Sequence, residues 1–532
     1  MKSGSVKIKD SLLGSGLFLL LLLPTLYHVW WYREDVWPFL ITGVVVCTTM
    51  TAITMCLPWR TGRWLFFSVL FAVSLFEFAH LMVYDGDISS AGYVRSLFMT
   101  TPYEAEGALG RVIRQHMGFI VFLVVAYIVL AVQIFITKPA PSAYRWILPG
   151  VGVLLLIHLW VSPSALFNRP PLNIYAQMAE AWRQRGERNR LTMQEPDSTY
   201  HAYREQTPAN KELYLLIMDE SLRYDHVSLD GTNYRITMPR MGRLDQMVSY
   251  TDYYTTAVFT MYAVPMLITR ATPATFVLNY KEWGVQQAFV EAGFKSVWLS
   301  NEAQLVSDGV SDYVARGAEV IRVKHDMDMP AVVDSLCGTA DKLFVVLHLW
   351  GNHQFYLNTD VSTSLYYPDI TTTDDVHGEQ MYNNAYDNAI LYTDSMLLAL
   401  TEVLQTQSCI AQWLFTSDHG EGPIGRNGGA HGYTHPSSGE YHVPLMVWYS
   451  DEYKTAYPEK VANMLRHKDE PVCADHVFWS VLDMADIQID SALQQKGMSI
   501  FGDTLLPHPR VLLLPDGKNT ELVEEIYGNR HQ

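Results

Sequence analysis

The sequence predicts an α-helical membrane domain with five transmembrane helices, followed by an α/β soluble domain. Long apolar stretches in the first third predict the helices, and an alternation of strand-like and helical patterns predicts the α/β part. Potential metal ligands at the ends of several strand-like runs indicate a site in that part. The expected limits are 1–167 for the membrane domain, 168–210 for a bridging segment and 211–532 for the soluble domain.

Each of the five apolar stretches has about the ~20 residues that cross a bilayer as a helix. No small-residue cleavage site stands out after the first stretch and a second one follows at once, which argues against a cleaved signal peptide. The stretches lie at about 12–31, 36–59, 64–84, 118–137 and 144–167.

Basic residues between these stretches predict the orientation of the chain. By the positive-inside rule, the segments that carry them face the cytoplasm. An odd number of spans then places the soluble domain, about 360 residues, on the opposite side. In a bacterium this is a multi-pass inner-membrane protein with a periplasmic domain. The basic residues are Lys2, Lys7, Lys9, Arg60, Arg63, Lys138 and Arg145.

The bridging segment has Pro170 and Pro171 near its start, and the residues that follow, up to 191, are a mixture of apolar residues and arginines. This composition is typical of a helix on an anionic membrane surface. A solvated linker helix explains the composition equally well.

Net charge and cysteine content exclude some functions. A net charge of −17 and a pI of about 5.5 argue against nucleic-acid binding, which usually needs a basic surface. Two of the five cysteines, Cys47 and Cys56, fall in the second apolar stretch. The other three, Cys337, Cys409 and Cys473, allow at most one intramolecular disulfide.

From residue 212 onward, the alternation of strands and helices is typical of a mainly parallel sheet flanked by helices. Helical patterns cover 283–292 and 385–403, among others. The strand-like runs lie at 214–218, 296–300, 343–349, 413–417 and 443–449.

Three of these runs end in, or run into, residues that can bind a metal. In open α/β sheets, ligands bind beyond the carboxyl ends of the strands, so these side chains could converge on one point. Carboxylate and imidazole ligands together favour a metalloenzyme. The pairs are Asp219 with Glu220, His348 with His353, and Asp418 with His419.

The segment 254–267 carries the hydroxyl groups of Thr255, Thr256 and Thr260 just before a helix-compatible run. A threonine at a helix start is usually an N-cap. A metal ion beside the threonine oxygen would favour the alkoxide form, which could act as a nucleophile. The same helix N-terminus would favour a bound phosphate.

Several stretches together resemble the phosphoethanolamine transferases that modify lipid A and related surface glycans. Their order, spacing and context match that family, as does the architecture of five spans before a periplasmic domain. The resemblance covers essentially the whole chain and implies an alkaline-phosphatase or sulfatase type of α/β fold. The stretches are 220–239, 260–266, 348–356, 383–394, 417–421, 428–433 and 441–448.

The resemblance implies a zinc site built around a threonine nucleophile. Thr260 matches the nucleophile and also a zinc ligand. Glu220, Asp418 and His419 match the other ligands of the principal zinc. Carboxylate, hydroxyl and imidazole groups suit zinc chemically. One firmly bound zinc ion is therefore expected, and the need for a second stays open.

Further residues match positions that contact the substrate. His353 and His431 match histidines that contact the substrate phosphate or a second zinc, and are expected to take part in catalysis. Asn301 and His348 are weaker candidates for substrate contact, and a core or supporting role explains His348 at least as well. Asp225, His226 and His442 are also weak candidates.

The stretch 96–109, after the third apolar segment, is similar to the lipid-contacting stretch of the family. Thr100 and Glu104 stand at matching positions, and Ser96 replaces the usual asparagine. Polar groups here could hold the ammonium headgroup of a lipid, although an amphipathic surface helix explains them nearly as well.

Two departures from the family pattern leave the acceptor open. Thr256 and Met266 stand where many relatives have cysteines that flank the nucleophile, so packing alone must hold this segment. A lysine often found near the substrate phosphate has no clear counterpart at 301–304.

The implied reaction moves phosphoethanolamine from phosphatidylethanolamine to Thr260, and then to lipid A, lipopolysaccharide or a related surface glycan. Zinc would stabilise developing charge while nearby histidines pass protons. A cationic group added to lipid A would weaken the attraction of cationic peptides such as polymyxin.

Three other functions were weighed against this one. A phosphoglycerol transferase of the same superfamily is the nearest alternative, and a non-catalytic lipid-binding sensor is a further one. A sulfatase activity is disfavoured because Thr260 cannot supply the formylglycine that sulfatases form from cysteine or serine.

Overall fold

The computed structural model divides into two compact units, Met1–Arg185 and Gly186–Gln532. It describes residues 2–32, 36–84, 102–137, 173–192, 199–206, 211–232, 234–301, 313–353, 361–370, 378–422, 431–432 and 436–530, together with the single positions 150, 152, 153, 157, 196, 208 and 356.

The first unit consists of long apolar helices. In the described part of the chain, α1 to α4 each contain a stretch that is long and apolar enough to cross a membrane. Most of the fifth predicted stretch, 144–167, lies outside the described residues. The helices are α1 (Lys2–Tyr32), α2 (Val36–Cys56), α3 (Arg60–Tyr84), α4 (Pro102–Ile136) and α5 (Asn173–Thr192).

Close side-chain packing joins α1, α3 and α4. Leu17, Phe67 and Ile134 are fully buried in their shared core. The ring of Tyr127 stacks on that of Phe67, and its hydroxyl lies 2.7 Å from the hydroxyl of Ser68. Since lipid is as apolar as these side chains, such packing and polar contacts are what hold membrane helices together.

Helix α5 covers most of the bridging segment, whose helical conformation was predicted. Its ends are Asn173 and Thr192, and Ile174 and Ala181 are buried on its inner side. Its placement on a membrane surface stays a prediction.

The second unit is built on a sheet whose middle strands carry side chains buried on both faces. All eight residues of the strand 212–219 are buried, as are all eight of the strand 410–417. In the sequence, such strands appear as continuous apolar runs, which is typical of parallel strands that are covered on both faces. The strands are β1 (Glu212–Asp219), β2 (Met247–Ser249), β3 (Tyr253–Tyr254), β4 (Lys295–Ser300), β5 (Glu319–Arg322), β6 (Lys342–His348), β7 (Ile410–Ser417), β8 (Leu445–Tyr449), β9 (Val472–Cys473), β10 (Val511–Leu513) and β11 (Thr520–Leu522).

Within the described residues, the main sheet has the strand order β2-β8-β7-β1-β6-β4-β5. The pairs from β7 through β5 are parallel, and β8 and β2 are antiparallel to their neighbours. The predicted mainly parallel sheet is therefore confirmed. The carboxyl ends of β1, β6 and β7 meet at one edge, because Met218 pairs with His348 and Asp219 pairs with Ser417.

Helices cover this sheet and complete the core. The longest is α9, and its Ile390 and Leu397 are fully buried in the cluster that contains Val345 and Trp413 of the sheet. The helices of this unit are α6 (Thr260–Ile268), α7 (Val285–Glu291), α8 (Met329–Cys337), α9 (Glu379–Thr406), α10 (Ser438–Tyr441), α11 (Asp451–Ala456), α12 (Pro458–His467), α13 (Asp475–Met484) and α14 (Val523–Arg530).

Candidate metal centre

The ends of β1 and β7 bring three of the predicted ligands together. Glu220 follows β1, and Asp418 and His419 follow β7, and all three side chains are buried. Nε2 of His419 lies 3.2 Å from a carboxylate oxygen of Glu220 and 3.5 Å from Oδ2 of Asp418. The parallel pairing of two neighbouring strands thus produces the cluster.

Helix α6 adds the predicted nucleophile to the cluster. Thr260 is its first residue, and its Oγ1 donates a hydrogen bond of 3.1 Å to Oε2 of Glu220. The same oxygen lies 3.2 Å from Nε2 of His419. Thr260 is not the N-cap, which is Phe259, so its hydroxyl is directed to the cluster rather than to the helix backbone.

The donor set fits a metal ion. Ligand atoms of Glu220, His419 and His431 all lie within 4.8 Å of one another. Oδ2 of Asp418 is buried and accepts no hydrogen bond, although a buried carboxylate oxygen normally has a partner. A carboxylate oxygen that accepts no hydrogen bond and lies beside an imidazole and a hydroxyl is well placed to bind zinc.

Electrostatics of the cluster also call for a positive charge. Burial alone would lower the pKa of His419, but the carboxylates of Asp418 and Glu220 raise it to about 10. Burial, together with the nearby charge of Glu220, raises the pKa of Asp418 to about 7. Two buried carboxylates thus favour a positive charge beside them, which the imidazolium of His419 or a divalent metal can supply.

His419 is oriented by its other ring nitrogen. Nδ1 lies 2.8 Å from the carbonyl oxygen of Gly420, so Nδ1–H donates there and Nε2 is directed to Glu220 and Thr260. A hydrogen bond of this kind is the usual way in which a protein fixes a metal-binding histidine.

His431 lies beside His419, and Glu421 holds it. The two imidazole rings are 4.0 Å apart between centroids, and Nδ1 of His431 lies 2.7 Å from Oε1 of Glu421. Burial, reinforced by the charge of His419, lowers the pKa of His431. Glu421 was not among the residues predicted from the sequence. Its position at the end of the stretch 417–421, next to two predicted ligands, is the signal that could have identified it.

The other predicted substrate contacts are placed less directly. The ring of His353 lies tilted against that of Trp350, at 4.3 Å between ring centroids. After His419, which lowers the pKa of Glu220 most, the charge of His353 lowers it further. His348 is fully buried at the end of β6, where burial lowers its pKa to about 4. Asn301 donates a hydrogen bond of 2.7 Å to Oδ1 of Asp326, so its amide is engaged inside the protein.

The predicted lipid contacts cannot be placed in the same way. Ser96 and Thr100 lie outside the described residues. Glu104 belongs to the first turn of α4, and its side chain lies outside the described part of the structure.

Residues of α9 support the segment that follows Glu220. The hydroxyl of Tyr386 donates to the carbonyl oxygen of Ser221 at 2.7 Å and accepts from the backbone N–H of Arg223 at 2.8 Å. Oδ1 of Asp387 lies 2.7 Å from Nδ1 of His226. These side chains build the surroundings of the site.

Comparison with known families assigns the soluble unit. The family model described as Sulfatase matches residues 212–487, which is just over half of the chain. The chain belongs to the sulfatase family.

Relatives of this sulfatase-family chain include transferases. It is 29% identical over 248 residues to the putative transferase YhbX of Escherichia coli strain K12, an alignment covering 45% of this chain and 43% of YhbX. It is 26% identical over 263 residues to the phosphatidylethanolamine transferase Mcr-1 of Escherichia coli, covering 44% of this chain and 48% of Mcr-1. The chain thus spans less than half the length of these relatives.

Solved structures extend the likeness to the membrane part. The integral membrane lipooligosaccharide phosphoethanolamine transferase A, EptA, from Neisseria meningitidis has a TM-score of 0.71 at 16% identity, over 93% of this chain and 98% of EptA. The periplasmic domain of EptC from Escherichia coli, solved in complex with Zn, has a TM-score of 0.54 at 18% identity, over 62% of this chain and 96% of that domain. At these identities the likeness establishes the fold, so the predicted helical membrane domain followed by a sulfatase-like α/β domain is confirmed.

Proposed function

We propose that this protein is a zinc-dependent phosphoethanolamine transferase of the bacterial inner membrane, with its catalytic unit in the periplasm. One observation carries the proposal: the Thr260 hydroxyl lies 3.1 Å from Glu220 and 3.2 Å from His419 at the start of α6, beside the unpartnered Oδ2 of Asp418. The names of the relatives Mcr-1 and EptA support this reaction, and the apolar helices support the location.

Glu220, Thr260, Asp418 and His419 would hold the zinc ion. When bound, zinc acts as a Lewis acid that stabilises the negative charge developing on the phosphate oxygens. The chain supports this set through the hydrogen bond from His419 to the carbonyl of Gly420 and through the backbone N–H of Ser221, which lies 3.3 Å from Oδ1 of Asp418.

In the first step, Oγ1 of Thr260 attacks the phosphorus of phosphatidylethanolamine. The bond from phosphorus to the diacylglycerol oxygen breaks, and phosphoethanolamine stays on Thr260. Glu220 accepts the hydrogen bond from the threonine hydroxyl, so it orients the attacking oxygen. The lowered pKa of His431 leaves its Nε2 without a proton, so this nitrogen can receive the proton of the threonine. Diacylglycerol leaves with a proton, which His353 can supply at a ring nitrogen.

In the second step, a hydroxyl or phosphate oxygen of the acceptor attacks the phosphorus and gives up its proton to His353. The bond from phosphorus to Thr260 breaks, and Thr260 takes back the proton held by His431. The N-terminus of α6 helps in both steps, because the positive end of its helix dipole favours a bound phosphate. Lipid A or a related surface glycan is the proposed acceptor, and a lower affinity of the cell surface for polymyxin-type cationic peptides would follow.

Intact-protein mass spectrometry tests the donor and the nucleophile together. The purified, zinc-loaded chain is incubated with phosphatidylethanolamine, and the adduct is mapped by peptide analysis. We expect a phosphoethanolamine adduct on Thr260 together with release of diacylglycerol. Thr260→Ala should lose both. Thr256→Val is the matched control, because this neighbouring hydroxyl contacts only the sulfur of Met266, at 3.8 Å, among the hydrogen bonds described for it.

Each negative result has a clear meaning. An adduct that forms only with phosphatidylglycerol would make the protein a phosphoglycerol transferase. If neither lipid gives an adduct or diacylglycerol, the proposed activity is wrong and a non-catalytic lipid-binding role takes its place.

A further inference from the structure

A second group of metal-ligating side chains lies where β9 ends and α13 begins. Sγ of Cys473, a carboxylate oxygen of Asp475 and a ring nitrogen of His508 all lie within 4.8 Å of one another. Within the described part of the chain, this group and the one at Glu220 are the sets of three or more such ligands with this spacing. The two groups share no residue, and the proposed transfer reaction makes no use of this one.

Cys473 and Asp475 of the cluster are buried, His508 is partly exposed, and hydrogen bonds satisfy the cluster only in part. Oδ2 of Asp475 lies 2.9 Å from Nε2 of His508, whereas Oδ1 of the same carboxylate is buried without a hydrogen-bond partner. The side chain of Asp475 is 3% exposed. Buried polar atoms in native proteins almost always have a partner, so the free Oδ1 indicates a missing one.

His476 adds a further donor to the same place. Its Nδ1 lies 3.5 Å from Sγ of Cys473, and its ring meets that of His508 edge-on at 5.5 Å between centroids. Its Nε2 is buried without a hydrogen-bond partner. A thiol, a carboxylate and two imidazoles therefore lie close together here.

An ion pair between Asp475 and His508 beside a buried cysteine is the simplest alternative. That arrangement explains the 2.9 Å contact but leaves Oδ1 of Asp475 and Nε2 of His476 without partners, which is costly for buried groups. A metal ion would use the carboxylate, the thiolate and the imidazole at once. Sulfur, nitrogen and oxygen from these three residue types are the ligands that zinc prefers, at roughly 2.0–2.3 Å from the metal.

We propose that Cys473, Asp475 and His508 bind a structural zinc ion, with His476 or a water molecule as the fourth ligand. A tetrahedral site holds neighbouring ligand atoms roughly 3.3–3.8 Å apart. The ligand atoms of this cluster lie within 4.8 Å of one another, so small side-chain rotations would bring them to the tetrahedral spacing.

The position of this site defines its role. Strand β9 pairs with β3, so that Tyr254 lies opposite Cys473. Beyond His508, the backbone N–H of Leu513 donates to the carbonyl of Thr256 at 2.8 Å, four residues before Thr260. A zinc ion bound to Cys473 and His508 would cross-link the two segments that flank the approach to α6.

Cobalt substitution tests the proposal with a signal that the Glu220 site cannot give. Co²⁺ bound to a thiolate shows a charge-transfer absorption in the near ultraviolet, and the Glu220 site contains no sulfur ligand. The full-length chain in detergent micelles, carrying Glu220→Gln and Asp418→Asn to disable that site, is titrated with Co²⁺. We expect the thiolate band to saturate at about one equivalent.

Variants of the cluster decide the outcome. Cys473→Ser should abolish the band, and Cys337→Ser, a matched change at another buried cysteine, should leave it unchanged. His508→Gln should weaken Co²⁺ binding at least tenfold, and this partly exposed side chain can be changed without a cavity in the core. The proposal would be overturned if the chain with only Glu220→Gln and Asp418→Asn showed no thiolate band, or if the band persisted after Cys473→Ser was added.

A thermal measurement covers the case in which a variant folds poorly. Removing metal with a chelator should lower the melting temperature of the full-length chain that carries Glu220→Gln and Asp418→Asn. The same treatment should leave unaffected the melting temperature of this chain with Cys473→Ser added. An equal fall in both proteins would contradict the proposed site. Neither measurement depends on transfer activity, so failure of this proposal and failure of the proposed transferase can be told apart.

Discussion

At the residue level, the pair of the buried Glu421 and the partly exposed His431 decides which ring nitrogen is available for chemistry. Nδ1 of His431 donates to Glu421 at 2.7 Å, so Nε2 is the nitrogen left to accept a proton or to bind a metal. Glu421 is fully buried and cannot be replaced by water in this role. The carboxylate thus fixes both the tautomer and the ring orientation.

We therefore expect Glu421→Gln to reduce the rate of diacylglycerol release by about 10- to 100-fold. The amide can donate as well as accept, so it no longer enforces one tautomer. Zinc content and melting temperature should change little, because Glu421 is not among the proposed ligands. A variant with the full rate would show that the pair has no part in transfer.

His442 should make the stability of the soluble unit sensitive to acid. Its ring lies between those of Tyr224 and Tyr254, at 4.2 and 4.6 Å between centroids. Burial lowers its pKa below the ordinary value near 6.5. The unfolded chain then takes up a proton below about pH 6.5 that the folded protein excludes, so the free energy of unfolding falls as the pH falls.

His442→Phe should remove part of this acid sensitivity while it keeps the stacking between the two tyrosines. Each unit of pKa difference is worth about 1.4 kcal/mol. The melting temperature of the variant should therefore fall less than that of the unchanged protein between about pH 7.5 and pH 5.5. Equal falls in the melting temperatures of the two proteins would mean that His442 has the same pKa in the folded and the unfolded chain.

The sequence predicted the Glu220 cluster because its residues directly follow apolar strands. Glu220, Asp418 and His419 each stand within two residues of a strand end, and parallel strands bring their carboxyl ends to one edge. The Cys473 cluster carries no such signal. His508 comes from a segment without regular structure, and its distance from Asp475 depends on how the chain after α13 folds back.

At the level of elements, α9 positions the segment that contains Glu220. The hydroxyl of Tyr386 bonds to the backbone of both Ser221 and Arg223, directly after this ligand. Asp387 bonds to His226 and, at 3.0 Å, to the hydroxyl of Tyr234. One helix therefore fixes the path of the chain for some distance beyond β1.

Tyr386→Phe should lower stability by about 1–3 kcal/mol, because two buried backbone groups lose their partner. Zinc affinity and transfer rate should fall as well, since Glu220 is held less firmly. Tyr392→Phe is the matched control on the same helix, because its hydroxyl accepts from the backbone of Met327 at 3.1 Å and not from the segment after Glu220. Equal effects of the two changes on zinc affinity would contradict a positioning role for Tyr386.

The longer strands and helices could be predicted, and the short ones could not. Predicted runs correspond to β1, β4, β6, β7 and β8, whose side chains are almost entirely buried. Strand β5 has mostly exposed side chains and β2 has three residues, so neither gives an apolar pattern. The reversal of β8 was also beyond prediction, because a strand buried on both faces reads the same in either direction.

At the level of the whole molecule, the two units have separate cores. The apolar stretches long enough to cross a membrane all fall before residue 137 in the part of the chain that the structure describes. The segment 199–206 belongs with the soluble unit: the backbone N–H of Tyr200 donates to Glu291, and Arg204 pairs with Glu212 at 2.8 Å. A soluble fragment must therefore begin before residue 199.

A fragment of residues 196–532 should fold alone and bind zinc with the same stoichiometry as the full chain, because the Glu220 site and its supports lie within it. It lacks the membrane helices and the proposed lipid-contacting stretch. It should therefore form the adduct on Thr260 with a short-chain, water-soluble phosphatidylethanolamine but lose most transfer from long-chain lipid in vesicles. Mass spectrometry of the fragment with each donor, beside the full chain in the same vesicles, measures this difference. Thr260→Ala in the fragment is the control for the adduct. Equal use of vesicle lipid by the fragment and the full chain would show that the helices only anchor the enzyme and do not help to present its donor.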